Sequence, residues 1–168
     1  LMVLPPEERT EPNAMSILIA NAEKQFPPGD DGQEHPDQGP WRKAVWEKVK
    51  GLWRIENPAE VDVVATEWRI DNVSIDGIPF IGYIDRTDRN EDGTLRVLDY
   101  KSGKGKGLDR EGRRKLQRFG DDHGDQIRFY KLALEALSGE EVGSGSVYYI
   151  GEGQQRERVL RGLAQALQ

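Results

Sequence analysis

The spacing of the hydrophobic residues changes from helical to strand-like about one third of the way along the chain. Apolar residues recur weakly from Pro12 to Lys24, and at intervals of three and four from Trp41 to Trp53, which predicts two helices. Residues 26–40 between them are rich in proline, glycine and acids, which is typical of a long solvated loop. Gly51 is expected only to weaken the second helix.

The middle of the chain has the two-residue alternation that is typical of β-strands. Apolar runs begin at Val61, Ile78 and Leu95, and Asp76-Gly77 between the first two runs is a strong hairpin signal. These runs predict a three-stranded antiparallel meander.

The last third of the chain returns to mixed periodicity. We predict a helix from Asp122 that stops at Gly139, a strand over residues 146–150 and a terminal helix over residues 159–167. The expected fold class is therefore α/β, with helices flanking one mixed sheet in a single domain over residues 1–168.

Composition narrows the chemistry that such a domain can perform. The 168 residues include no cysteine, so disulfides, thiolate metal sites and iron–sulfur clusters are excluded. The only histidines are His35 and His123, and a bound metal would therefore need mainly oxygen ligands. No apolar run is long enough to span a membrane, and we expect a cytoplasmic protein. The opening Leu1-Met2 does not resemble a natural start, which suggests a fragment of a longer chain.

The most informative geometry lies in the hairpin between the second and third strands. If its turn is centred near Asp92, Asp85 and Asp99 face each other across the strands, on one side of the sheet. Lys101, two positions beyond Asp99, shares that side. Two opposed carboxylates repel each other, so either a divalent cation lies between them or they form a polar rim paired with bases such as Arg86.

A calcium-binding loop is a competing interpretation of the same hairpin. Asp88, Asn90, Asp92 and Gly93, followed by Asp99, have almost the spacing of a calcium loop. That loop needs helices on both sides, whereas both flanks here are β-runs, which disfavours it.

Three motifs in order resemble the RecB-type branch of the PD-(D/E)XK nuclease superfamily, whose fold is restriction-endonuclease-like. The motifs are Gly-Tyr-Ile-Asp-Arg at residues 82–86, Asp-Tyr-Lys-Ser-Gly at residues 99–103, and Gln126 with Tyr130. They match G-x-[IV]-D-R, D-Y-K-[ST]-G and Q-x3-Y of that branch. The histidine that the branch carries on a helix before the sheet has no counterpart, because His35 lies in the proline–glycine loop.

The resemblance implies roles for the residues that match. Asp85, Asp99 and the backbone carbonyl of Tyr100 would bind Mg²⁺ or Mn²⁺, and Lys101 would orient the attacking water and balance charge on the phosphate. Gln126 and Tyr130 would contact DNA or hold the lysine. Glu67 is an auxiliary candidate, although a plain surface acid is at least as good an interpretation.

A basic stretch follows the third motif. Residues 101–118 hold eight bases and two acids, within a chain of net charge -6. Contact with a phosphate backbone and a solvated charged loop are equally consistent with this pattern. The DNA-binding candidates in this stretch are Lys104, Lys106, Arg113 and Arg114.

Two functions follow from these observations. The first is a metal-dependent deoxyribonuclease of the RecB kind, an exonuclease in repair, recombination or defence, acting on single- or double-stranded DNA and working with a helicase. The second is a module on the same fold that binds nucleic acid or a partner without cutting. No membrane partner is expected.

Overall fold

The computed structural model describes residues 1–102, 122–151 and 154–159, which form three α-helices, two short 3-10 helices and five strands. The helices are α1 (Glu11–Gln25), α2 (Gln38–Ile55) and α3 (Asp122–Ser138). The strands are β1 (Val63–Ile75), β2 (Ile78–Arg89), β3 (Leu95–Lys101), β4 (Val142–Tyr149) and β5 (Gln154–Val159).

The first three of the four helices predicted from the apolar spacing are present. Thr10 caps α1, with its hydroxyl accepting a hydrogen bond from the Asn13 amide at 3.4 Å. Helix α2 begins at Gln38, three residues before the predicted start, because Pro40 lies in its first turn, where no amide hydrogen is needed. Helix α3 ends before Gly139, which takes a left-handed φ of 71°.

The strands form one mixed sheet in the order β1-β2-β3-β4-β5. β1, β2 and β3 are antiparallel, as predicted, and β4 lies parallel to β3 after a crossover that contains α3. The predicted α/β class with a mixed sheet is therefore confirmed. β5, antiparallel to β4, was not predicted, because its sequence is polar and lacks an apolar alternation. Val159 ends this strand instead of beginning a helix, and residues 160–168 lie outside the described part.

The two hairpins have the predicted turns and register. Asp76 and Gly77 both have positive φ, 52° and 78°, as a two-residue turn of the I′ type requires. Between β2 and β3, Arg86 pairs with Leu98 and Asp88 with Arg96, so residue numbers across the hairpin average 92.

Each face of the sheet packs against a different helix. On one face, Ile84 and Val97 join Ile127 and Leu134 of α3 in the larger apolar core. On the other face, Leu98 and Tyr148 pack with Leu52 of α2. The two side chains Val97 and Leu98 thus point to opposite faces, as neighbours in a strand do.

Gly51 lets α2 approach the sheet more closely than a larger residue would allow. A Cβ atom at this position would lie 1.6 Å from the carbonyl oxygen of Ile150, just after β4. Gly51 is therefore required by packing, and the expectation that it merely weakens the helix was incomplete.

We predict that Gly51→Ala lowers the free energy of unfolding by about 1–3 kcal/mol, because backbone atoms must separate to admit the methyl group. Gly39→Ala in the same helix is the matched control, since nothing lies within 4 Å of its Cβ position. Urea denaturation monitored by tryptophan fluorescence measures both. Equal stability of the two variants would contradict the packing role of Gly51.

Candidate active site

The ladder between β2 and β3 ends where the candidate acids begin. The last described pair is Arg86 with Leu98, and the same register would next pair Asp85 with Asp99. Beyond that pair a side chain joins the two strands. Oδ2 of Asp85 accepts a hydrogen bond from the backbone amide of Tyr100 at 2.7 Å. A carboxylate of β2 is thereby fixed to the backbone of β3.

The alternation of side chains along β2 is interrupted at Asp85. Ile84 packs in the core under α3, whereas Arg86, two residues further on, lies on the α2 face. In a regular strand residues two apart share a face. On β1 the flanking pairs place Glu67 opposite Asp85, and Glu67 has a φ of 51°, a left-handed conformation that is costly for a side-chain-bearing residue. The sheet is therefore distorted at the level of the candidate site.

Lys101 connects β3 to α3 on the core side of the sheet. Its Nζ lies 2.6 Å from Oδ2 of Asp99, whose side chain is only 4% exposed. The same ammonium donates to Oε1 of Gln126 at 3.2 Å. Gln126 in turn donates through Nε2 to the Tyr130 hydroxyl at 2.7 Å. Four of the predicted site residues, Asp99, Lys101, Gln126 and Tyr130, are thus joined in one chain by an ion pair and two hydrogen bonds.

Tyr130 lies within electrostatic range of both candidate acids. Burial raises the pKa of its hydroxyl, the hydrogen bond from Gln126 opposes that rise, and the negative charges of Asp99 and Asp85 add to it. The structure therefore brings Asp85, Asp99, Lys101, Gln126 and Tyr130 into one region at the ends of β2 and β3.

The opposite face of the sheet holds a charged network that the sequence reading missed. Arg86 has no exposed surface, and its guanidinium binds both carboxylate oxygens of Glu56 at 2.6 and 2.9 Å. It also donates to Asp88 at 2.9 Å and to the Tyr100 hydroxyl at 2.7 Å. Arg86 therefore does not neutralise the Asp85 and Asp99 pair across the strands, and in the described part of the chain the basic residue that pairs with Asp99 is Lys101.

Further contacts complete the charge balance of this network. Arg96 donates to Asp88 at 2.7 Å, and the Tyr148 hydroxyl donates to Glu56 at 2.6 Å. Two acids face two bases, so no charge in the network is left uncompensated. The only sequence signal was Arg86 within its motif, because Glu56 is thirty residues away and carries no local pattern.

Burial and charge pairing act in opposite directions on the pKa values of Arg86 and Asp88 in this network. Burial alone would lower the pKa of Arg86, but its hydrogen bond with Glu56 and the neighbouring negative charges raise that pKa well above its usual range. Burial raises the pKa of Asp88, and Arg86 and Arg96 offset part of the rise. Burial also raises the pKa values of Tyr100 and Tyr148.

Three further predictions from the sequence concern Glu67, the calcium-binding loop and the basic stretch after Lys101. Glu67 is exposed on β1 and faces Asp85 in the register. The calcium loop does not form, because Asp88 is buried in β2 with its arginine partners and Asn90 binds Thr94 at 2.9 Å. Lys104, Lys106, Arg113 and Arg114 lie outside the described residues, as does the side chain of His123.

The donor chemistry of the site suits a hard divalent cation with an incomplete protein shell. In the described part of the chain no cluster of three or more His, Cys, Asp or Glu side chains is placed to hold a metal. Mg²⁺ is commonly bound through one or two carboxylates together with water and substrate phosphates. Asp85, Asp99 and the carbonyl of Tyr100 fit that mode of binding, and they do not fit a tetrahedral nitrogen and sulfur site.

Comparison with known proteins identifies the family. The sequence matches the PD-(D/E)XK nuclease superfamily over residues 4–167. The chain therefore belongs to this superfamily, whose members generally use divalent metals such as Mg²⁺. A search of curated proteins finds no match. The predicted superfamily is confirmed, and membership suggests a nuclease, whereas the RecB-type branch stays a prediction. None of the helices formed by the described residues combines the length and hydrophobicity needed to cross a bilayer.

We predict that the free energy of unfolding falls steeply with alkaline pH, starting near the ordinary tyrosine pKa of 10. Above that pH the unfolded chain loses protons that Tyr100 and Tyr148 keep in the folded state, so rising pH favours unfolding. Tyr148→Phe should reduce this slope by about 1.4 kcal/mol per pH unit. Urea denaturation at a series of pH values gives the slope. Identical slopes for wild type and variant would show that Tyr148 ionises as easily in the folded chain as in the unfolded chain, which would contradict the prediction.

Proposed function

We propose that this protein is a Mg²⁺- or Mn²⁺-dependent deoxyribonuclease of the RecB kind, an exonuclease in DNA repair, recombination or defence. The observation that carries the proposal is the contact of Lys101 with both Asp99 and Gln126 beside the carboxylate of Asp85. Superfamily membership supports nuclease chemistry. The single domain, the cytoplasmic location and the helicase partner belong to the same proposal.

The charges of the site support binding of a phosphate. Asp85 and Asp99 supply two negative charges, and Lys101 supplies one positive charge, so the three side chains carry a net charge of −1. A bound divalent cation makes the sum +1, which attracts an anionic phosphodiester to this partly buried site. When bound there, Mg²⁺ or Mn²⁺ lowers the pKa of water and polarises the phosphate.

The protein's own groups have separate tasks in this proposal. Asp85 and Asp99 hold the cation with the carbonyl of Tyr100. Lys101 orients the attacking water and balances the charge that develops on the phosphate oxygens. Gln126 and Tyr130 keep the Lys101 ammonium in place, since Gln126 accepts its hydrogen bond and donates to the Tyr130 hydroxyl. Glu67, exposed opposite Asp85, is an auxiliary candidate.

A module that binds nucleic acid without cutting it is the second candidate. The absence of a third acidic or histidine ligand among the described residues favours it. Metal binding separates the two candidates, because a module without chemistry has no need for a cation site. Calorimetric titration with Mn²⁺ distinguishes them, and the absence of any binding would favour the module.

We predict that Asp99→Asn and Lys101→Met each lower Mg²⁺- or Mn²⁺-dependent cleavage at least about 100-fold, since each removes a charge that stabilises the reacting phosphate. Cleavage is measured on fluorescent linear and circular DNA, and EDTA should abolish it. Mn²⁺ titration separates the roles, because Asp99→Asn should weaken metal binding whereas Lys101→Met should retain it.

Asp62→Asn is the matched control for Asp99→Asn, since Asp62 is an exposed acid just before β1. Lys43→Met serves the same purpose for Lys101→Met, on the exposed face of α2. Both controls should cut like the wild type. Undiminished cleavage by Asp99→Asn or Lys101→Met would overturn the assigned roles.

We predict that replacing Lys104, Lys106, Arg113 and Arg114 together with Gln weakens DNA binding and makes it less dependent on salt. Each lost phosphate contact reduces the slope of log K against log salt concentration by about 0.7 on single strands, hence by up to about 3 for all four. Fluorescence anisotropy over a salt series gives the slope. The control removes four exposed bases of α1 and α2, namely Lys24, Lys43, Lys48 and Arg54. Equal slopes for the two variants would mean that the basic stretch does not contact the phosphates.

A further inference from the structure

The charged network around Arg86 contacts the strands of the candidate active site from the α2 face of the sheet. Arg86 follows Asp85 directly, and Tyr100 lies between Asp99 and Lys101. The hydrogen bond from the Arg86 guanidinium to the Tyr100 hydroxyl, 2.7 Å long, therefore joins the two strands that carry the site. It does so just beyond Arg86 and Leu98, the last described pair of the ladder.

The link matters because the described pairing of β2 with β3 ends at Arg86 and Leu98. On the core side, the amide of Tyr100 donates to the Asp85 carboxylate at 2.7 Å. Tyr100 is thus held twice, through its hydroxyl by Arg86 and through its backbone by Asp85. A shift of the Tyr100 side chain would move the backbone whose amide binds Asp85 and whose carbonyl is a proposed ligand.

Arg86 itself is held by several partners at once. Its guanidinium is fully buried and fixed in a fork by both carboxylate oxygens of Glu56, with Asp88 as a third partner. The guanidinium carbon also lies 5.7 and 5.5 Å from the ring centres of Tyr100 and Tyr148. Glu56 follows α2 directly, and its amide bonds to the carbonyl of Leu52, so the fork is anchored on the end of a helix.

We propose that Glu56 and the Tyr100 hydroxyl are positioning residues of the active site. Acting through Arg86, they set the separation of Asp85 and the Tyr100 backbone and so tune the affinity for the divalent cation. Neither group touches substrate, and the inference rests on the proposed function because it assumes that the cation binds at these strand ends. Partners of metal ligands commonly change metal affinity about 10- to 100-fold when they are removed.

A purely structural role for the network makes a different prediction. In that case any buried hydroxyl of the network would matter equally, through stability alone. Tyr148 provides the comparison, because its hydroxyl donates to Glu56 at 2.6 Å and lies on β4, which carries no proposed site residue. Removing it leaves Glu56 bound to Arg86 through both oxygens.

The experiment compares Tyr100→Phe, Glu56→Gln and Tyr148→Phe with the wild type, by calorimetric titration with Mn²⁺ in the absence of DNA. Tyr100→Phe and Glu56→Gln should weaken Mn²⁺ binding about tenfold or more. Tyr148→Phe should bind within about twofold of the wild type, even if it lowers the thermal unfolding midpoint as much as Tyr100→Phe does.

A second measurement needs no metal. The amide hydrogen at position 100 should exchange with deuterium faster in Glu56→Gln than in the wild type, because its hydrogen bond to Asp85 is held less firmly. The same amide should be unaffected by Tyr148→Phe. If Tyr100→Phe does not fold, amide exchange in Glu56→Gln tests the positioning role in place of the titration of Tyr100→Phe.

The outcomes separate this inference from the proposed function. Wild-type protein that binds no Mn²⁺ would overturn the proposed function, and amide exchange would still test the positioning by Glu56. Wild-type binding with unchanged affinity in Tyr100→Phe and Glu56→Gln would overturn the positioning role alone. Equal losses in all three variants would assign the network to stability instead.

Discussion

A positive charge without exposed surface must be matched by negative partners, and Arg86 meets this requirement by drawing three elements of the fold to one point. Glu56 comes from the end of α2, Asp88 from β2 and the Tyr100 hydroxyl from β3. Breaking such a buried pair by removing one partner commonly costs about 3–5 kcal/mol, so the arrangement constrains where α2 and β3 can lie. The proposed catalytic groups stand on the other face of the same strands and inherit that constraint.

The two faces of β2 and β3 therefore carry different sets of charged residues. The α2 face holds the compensated charges around Arg86, whereas the α3 face presents Asp99, Lys101 and Gln126 in a partly exposed chain of contacts. The switch between the faces occurs at Asp85, where the strand alternation is interrupted and Glu67 on the neighbouring strand has a left-handed backbone. Local strain of this kind persists only where the surrounding packing enforces it, and it commonly occurs at functional sites.

Local patterns were sufficient to predict most of the fold and the strands on which the candidate acids lie. Alternation and the Asp76-Gly77 turn gave the meander, and simple averaging of residue numbers gave the register that is observed as far as Arg86 and Leu98. β5 has polar residues where an apolar alternation is expected, and the contact of Gly51 with Ile150 depends on tertiary packing. Glu56 was missed for the same reason, because a pairing across thirty residues leaves no periodic trace.

The parallel arrangement of β3 and β4 has a consequence for how this protein can diversify. The chain leaves the sheet after Lys101 and returns through α3, and these two points are tied together by Lys101 and Gln126. Because the entropic cost of closing a connection grows only slowly with its length, residues can be inserted between these points or deleted at little cost to the sheet. The length of the chain between Lys101 and α3 can therefore change while the pairing of β3 with β4 stays the same.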